Sequence, residues 1–203
     1  MPEKITIEVF KEKKAEDFTA ALAMPDCRAG AGSAAAYTAA MACALAKRAA
    51  SLCAAANGEN ERLAYIEKNC EILRSYMVHL IDEDVKSKRP FSRALKEGGE
   101  REVEATLQTA GCIDAEIVNM MKPCLEFLAE LCPLCPAGDR HFILEAAELA
   151  MCACKTAQSV IFSFADLSTD ETYRYVTHRE NEIFLSERSA LYEGIVSAIN
   201  KNS

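Results

Sequence analysis

The chain has no tryptophan, and of its 203 residues only eight are glycine and six are proline. An all-β sandwich or barrel needs a turn signal at roughly every tenth residue, so this scarcity excludes one and favours few, long elements. Basic residues are also in deficit: 23 Lys and Arg stand against 31 Asp and Glu, a formal charge of -8 with no basic stripe. Nucleic acid is therefore not an expected partner. No uninterrupted apolar run reaches the ~20 residues of a bilayer-spanning helix. The alanine-rich stretch 30–56 is broken by Lys47 and Arg48, so no membrane partner is expected either. The start, MPEKITIEVFKEKK, lacks the apolar core of a secretion signal, and a cytoplasmic location is expected.

Half of the residues are hydrophobic and 27 % are charged, a globular composition. The length suits one domain, 1–203, with a core of its own. Ten cysteines are many, but without a secretion signal a disulfide framework is not expected. Cys43, Cys53, Cys70, Cys112, Cys152 and Cys154 fall in helical patterns, where the thiol behaves as a small hydrophobe.

The patterning predicts an all-α bundle of about six helices. After a charged, extended start come a short helix over 14–24, a glycine-containing turn, and a small-residue helix over 32–56. Asn57-Gly58 is a turn dipeptide, and Asn60 is placed to cap a third helix over 60–87. Residues 88–99, with Pro90 and Gly98-Gly99, read as a linker. A fourth helix is predicted over 100–131, kinked or broken at Pro123, and a fifth over 140–166. The capping-box string Ser168-Thr169-Asp170-Glu171 opens a last helix that runs to about 200.

Leu63, Ile66, Cys70, Leu73, Met77 and Leu80 recur at alternating steps of three and four, which marks one buried helix face. The next slot in that series is Asp84. Likewise Val103, Leu107 and Ala110 are followed in register by Asp114, Ile117 and Met121. A carboxylate in a core slot is costly unless it is paired or used, and burial raises its pKa toward values suited to proton transfer. Each aspartate is read either as such a group or as half of a structural ion pair.

Gly30 and Gly32 precede the alanine-rich helix. A helix N-terminus there offers unpaired N–H groups and a favourable dipole to an anion, and Ser33 can cap the helix or donate to a ligand. The small face Ala34, Ala35, Ala39, Ala42 and Ala46 permits close approach by another helix.

Phe18 to Ala36, with Leu22-Ala23-Met24-Pro25 and then Ala29-Gly30-Ala31-Gly32-Ser33-Ala34-Ala35-Ala36, resembles the start of the cyclodeaminase domain of formiminotransferase-cyclodeaminase and its stand-alone relatives, among them methenyltetrahydrofolate cyclohydrolases. That family carries a P-G-G-G-S-A-A-A turn, then an L-I-D-E-D string closing the next long helix. Leu80-Ile81-Asp82-Glu83-Asp84 reproduces the string, and helix order looks similar to about residue 200. This sequence departs from the family's pattern at polar positions. Ala29 stands for a proline and Ala31 for the central glycine. Val85-Lys86-Ser87-Lys88-Arg89 replaces small residues and a phenylalanine. Leu144-Glu145 stands for a Ser-Asp pair, and 163–167 lacks the family's asparagines.

The resemblance implies a folate one-carbon enzyme, a cyclodeaminase or a methenyl cyclohydrolase, that works as a homo-oligomer, at least a dimer. It implies acid/base catalysis on a tetrahydrofolate substrate, with no cofactor and no metal. Asp84, with Asp82 beside it, is the expected proton-transfer group. Gly30, Gly32 and Ser33 are expected to line the pocket, and Lys88 and Arg89 to meet the glutamate tail of the folate. The alternative is an inactive member of the same fold that binds a ligand or scaffolds a partner.

A rival constellation is Cys132-Pro133-Leu134-Cys135, a CxxC half-site for zinc or an iron–sulfur cluster, with Cys152 and Cys154 downstream. Two positions apart on a helix, Cys152 and Cys154 point about 200° apart and cannot serve one ion together. His79, His141 and His178 form no metal-binding pair, and no P-loop, nucleophile elbow or dinucleotide fingerprint is present.

Overall fold

A computed structural model describes residues 8–58 and 60–201. The described residues are all-α: α1 (Ala15–Leu22), α2 (Ala31–Asn57), α3 (Glu61–Ser87), α4 (Arg89–Glu97), α5 (Glu100–Ala110), α6 (Cys112–Leu131), α7 (Arg140–Leu167) and α8 (Glu171–Lys201), with a 3-10 turn at Ala137–Asp139 before α7. Most of the extended start expected from sequence lies outside the described residues.

The all-helical bundle follows the prediction, with two local differences. Residues 88–99, expected as a linker, fold mostly as α4, because Pro90 sits in the first turn, where its missing N–H costs nothing. The expected fourth helix divides into α5 and α6 at Gly111, and α6 then runs on through Pro123. Near that proline the buried guanidinium of Arg188 reaches across from α8. It donates to the Val118 carbonyl at 3.2 Å and lies 3.4 Å from Oδ1 of Asn119. The carbonyl that loses its partner to Pro123 is that of Asn119, so Arg188 ties down the turn beside it.

Small residues give α2 its central place. Ala36, Ala39, Ala42, Cys43, Ala46, Ala49, Ala50 and Cys53 are wholly buried, and α3, α6 and α7 pack around the helix. By length and composition α2 could cross a membrane; here those three helices cover it. The series from Leu63 to Leu80 is buried as its spacing predicts, each large member worth roughly 1.5–3 kcal/mol. Asn60 caps α3 by accepting from the Leu63 N–H at 2.9 Å, and Asp170 caps α8 through the N–H groups of Thr172 and Tyr173.

The α4–α5 hairpin has its own small cluster, Phe91, Leu107 and Ala110, packed with Val103, Phe164 and Tyr173. The main core, by contrast, is continuous through α2, α3, α6 and α7.

Candidate functional site

Three helix ends and one helix junction converge on a single group of polar side chains. Gly32 and Ser33 lie in the first turn of α2, Asp84 in the last turn of α3, Asp114 in the first turn of α6, and Lys88 between α3 and α4. Asp84 is 1 % exposed and Asp114 is 0 % exposed. Both aspartates of the helical register therefore belong to one buried pair.

The Lys88 ammonium bridges them, in close contact with Oδ1 of Asp84 and 3.2 Å from Oδ2 of Asp114. The Asp114 contact is an ion pair, and neither Asp114 oxygen has a well-directed hydrogen bond from a protein donor. Ser33 Oγ lies 2.9 Å from Oδ2 of Asp84 and 3.0 Å from the Ile81 carbonyl. The pair also packs closely against Gly32. A Cβ there would overlap Oδ1 of Asp84 and stand 2.5 Å from Oδ1 of Asp114, so only glycine fits this floor. Phe164 of α7 lies under the lysine, its ring centroid 5.8 Å from Nζ.

Burial pushes the Asp114 carboxyl up to about 7. The Lys88 charge opposes that rise and the Asp84 charge adds to it. Placement in the first turn of α6 favours the ionised form, but loss of water is the larger effect. The result is a group that gains and loses a proton near neutral pH, as acid/base work requires.

The remaining expected residues are placed differently. Asp82 faces away from Asp84, since two positions on a helix differ by about 200°. Its Oδ1 accepts from the backbone N–H of Phe10 at 2.7 Å and that of Lys11 at 3.4 Å, anchoring the segment before α1. Gly30 is exposed with open space around it, so no close approach requires glycine there. Lys88 points inward onto the two acids and presents no free charge to a carboxylate tail. Arg89 is half-buried beside it, with Nε buried and without a hydrogen-bond partner. Asp114 enters the site as the partner of Asp84, a pairing that the register of each helix alone did not reveal. Phe164 carried no sequence signal.

Among the described residues, no three His, Cys, Asp or Glu side chains gather around one point as metal ligands. Cys132 and Cys135 are buried. Cys132 Sγ turns back to the Leu128 carbonyl at 3.3 Å, and burial pushes the neighbouring Cys53 thiol up to about 12.

A family model described as formiminotransferase-cyclodeaminase matches residues 14–182. Among solved structures, the chain is similar to a formiminotetrahydrofolate cyclodeaminase from Thermotoga maritima. The TM-score is 0.84 at 19 % identity, over 94 % of this chain and 98 % of that one. At that identity the likeness speaks for the fold. No curated protein sequence matches the chain.

Proposed function

The chain belongs to the formiminotransferase-cyclodeaminase family, and on that premise we propose that it is a folate one-carbon enzyme whose chemistry centres on Asp84 and Asp114. The observation that carries this reading is a buried acid pair set against a glycine floor at the first turn of α2, where burial pushes the Asp114 carboxyl up.

Two reactions suit such a pair. In cyclodeamination, N10 of 5-formimino-tetrahydrofolate attacks the formimino carbon. The N10 proton is removed, a proton is delivered to the departing nitrogen, and ammonia leaves 5,10-methenyl-tetrahydrofolate. In cyclohydrolysis, water adds to the methenyl carbon and loses one proton, the remaining hydroxyl proton passes to N5 as the C–N5 bond breaks, and 10-formyl-tetrahydrofolate remains. Both need a proton taken from a nucleophile and one returned to a nitrogen, which Asp114 is tuned to do. The methenyl carbon, cationic and amidine-like, is the product of the first reaction and the substrate of the second, and a carboxylate stabilises its charge as it forms or is consumed, the role assigned to Asp84. No redox step is involved. Following the family resemblance, the enzyme acts in the cytoplasm as a homo-oligomer, at least a dimer, which sedimentation would test.

One observation favours the second reading, an inactive ligand-binding or scaffold protein: the Lys88 side chain fills the space over the two acids. A spectrophotometric assay of methenyl-folate formation and consumption separates the two. Turnover that falls at least a hundred-fold in Asp84→Asn supports the enzyme. No turnover in either direction, or full turnover in Asp84→Asn, removes the catalytic assignment.

A further inference from the structure

We infer that Lys88 is a resident counter-ion holding the place of the ligand's own cation, and that a planar amidinium-class group binds the Asp84–Asp114 pair by displacing the Lys88 ammonium. The ligand class rests on the folate reading; the displacement rests on the geometry.

The two acids are buried, in contact with both the Gly32 backbone and the Lys88 ammonium. Among the described residues no other cation pairs with either acid. The lysine side chain is 21 % exposed, against 1 % and 0 % for the two acid side chains. It is thus the part of the group in contact with solvent, and a ligand reaching the acids from that side must take its position. Its flexible four-carbon stem can carry the ammonium outward, where water solvates it strongly.

Lysine also complements this pair incompletely. Its single nitrogen reaches Asp84 well, yet both buried oxygens of Asp114 remain without a well-directed hydrogen bond. A compact ammonium is a point charge, whereas an amidinium ends in a planar NH2 group whose two N–H donors have fixed directions, one for each carboxylate; in the formimino-folate this terminal nitrogen carries both donors, since N5 is fully substituted. Asp114 thus has acceptors, aimed into the site, that a two-pronged planar cation fills and lysine does not. Occupation by lysine lowers the apparent affinity for such a cation by the fraction of molecules in which the acids are free. Selectivity follows as well, because a neutral or anionic ligand cannot replace the charge that leaves.

The test uses Lys88→Met, which keeps the stem and removes the charge, with formamidinium and methylammonium chloride as probes and sodium chloride as the ionic-strength control. Calorimetry is expected to show formamidinium binding Lys88→Met at least ten-fold more tightly than it binds the unsubstituted protein. Formamidinium should raise the melting temperature of the variant more than methylammonium does, and the double variant Asp84→Asn/Lys88→Met should lose the gain. Equal affinity in Lys88→Met and the parent protein, or no binding to either, overturns the inference. Should Lys88→Met not fold alone, refolding of Lys88→Met and Lys88→Gln is compared with and without formamidinium. Recovery supports displacement; failure of both variants to recover counts against it. The methenyl-folate assay of the unsubstituted protein is read separately. Turnover there without any amidinium gain in the variants leaves the folate reading standing and removes this one, and the reverse pattern does the opposite.

Discussion

Ser33 Oγ sits 2.9 Å from Oδ2 of Asp84, although 51 residues separate the two in sequence. The first turn of α2 is thereby tied to the last turn of α3. Its single proton also has the Ile81 carbonyl within reach at 3.0 Å. A buried hydrogen bond to a charged group contributes about 1.5–3 kcal/mol. Ser33→Ala is therefore expected to lower kcat for methenyl-folate by roughly ten-fold or more, with a smaller change in KM. Steady-state kinetics checks this, and an unchanged kcat would remove Ser33 from the site.

Gly32→Ala should be the more damaging change, although it adds one methyl group. The new carbon meets both carboxylates, which Lys88 and Ser33 hold in place. Overpacking of a filled core costs about 1–3 kcal/mol, and here the added atom also pushes two acids off their counter-ion. A lower urea midpoint together with loss of turnover is the expected result. Gly30→Ala provides the contrast, since nothing lies within 4 Å of a Cβ at that position.

Asp114 makes stability depend on pH in the direction opposite to an ion-paired surface carboxylate, whose pKa is lowered on folding. Its folded pKa, about 7, lies above the ordinary value of 3.8, so between those limits the native state holds a proton that the unfolded chain has lost. Its contribution to stability is greatest at low pH, declines as pH rises from about 4, and levels off above 7. The span is on the order of 4 kcal/mol. Asp114→Asn keeps the shape without the titration. The stability difference, variant minus parent, should grow from pH 4 to pH 7 and then stay constant. Urea titrations at pH 5, 6, 7 and 8 measure it, and a flat difference would contradict the raised pKa.

Asp82→Asn should act on the chain before α1. The carboxylate takes the Phe10 N–H at 2.7 Å, and Phe10 packs edge-on against Phe18 with centroids 6.5 Å apart. Weakening that anchor should cost roughly 1–2 kcal/mol and speed tryptic cleavage at Lys11, Lys13 and Lys14. Limited proteolysis followed by mass analysis reads the effect directly.

Arg188→Met removes a buried cation that serves the Phe184 carbonyl at 2.9 Å and the Val118 carbonyl at 3.2 Å. The methionine fills much of the volume but donates nothing near Pro123. A loss of about 2–3 kcal/mol is expected, read as a shift of the urea midpoint; no shift would mean that α6 tolerates its proline unaided.

The helical class and the core faces were legible because periodicity reports burial directly: Leu63, Ile66, Cys70, Leu73, Met77 and Leu80 are buried, and the two polar residues in register, Asp84 and Asp114, are buried as well. What periodicity cannot report is which helix faces which. The pairing of Asp84 with Asp114 depends on the chain turning at Gly111, where a continuous helix to a Pro123 kink was expected. Nor does a run of basic residues reveal which of its members turns inward. Lys88 is four residues after Asp84 and so on the same helix face, whereas Lys86 meets Glu83 at the surface. Asp82 shares a string with Asp84, yet adjacency in a motif is not adjacency on a helix.

The hairpin of α4 and α5, with its separate cluster of Phe91, Leu107 and Ala110, places the two sides of the acid pair in different cooperative units. Gly32, Asp84 and Asp114 belong to elements of the large core and share its global stability. Lys88 leads into a unit stabilised by far fewer buried side chains, which can separate without the rest unfolding. Amide exchange in α4 and α5 should therefore be faster than in α2 and α3. The rate at which the carboxylates meet solvent would then be set by this partial opening, not by the stability of the protein as a whole.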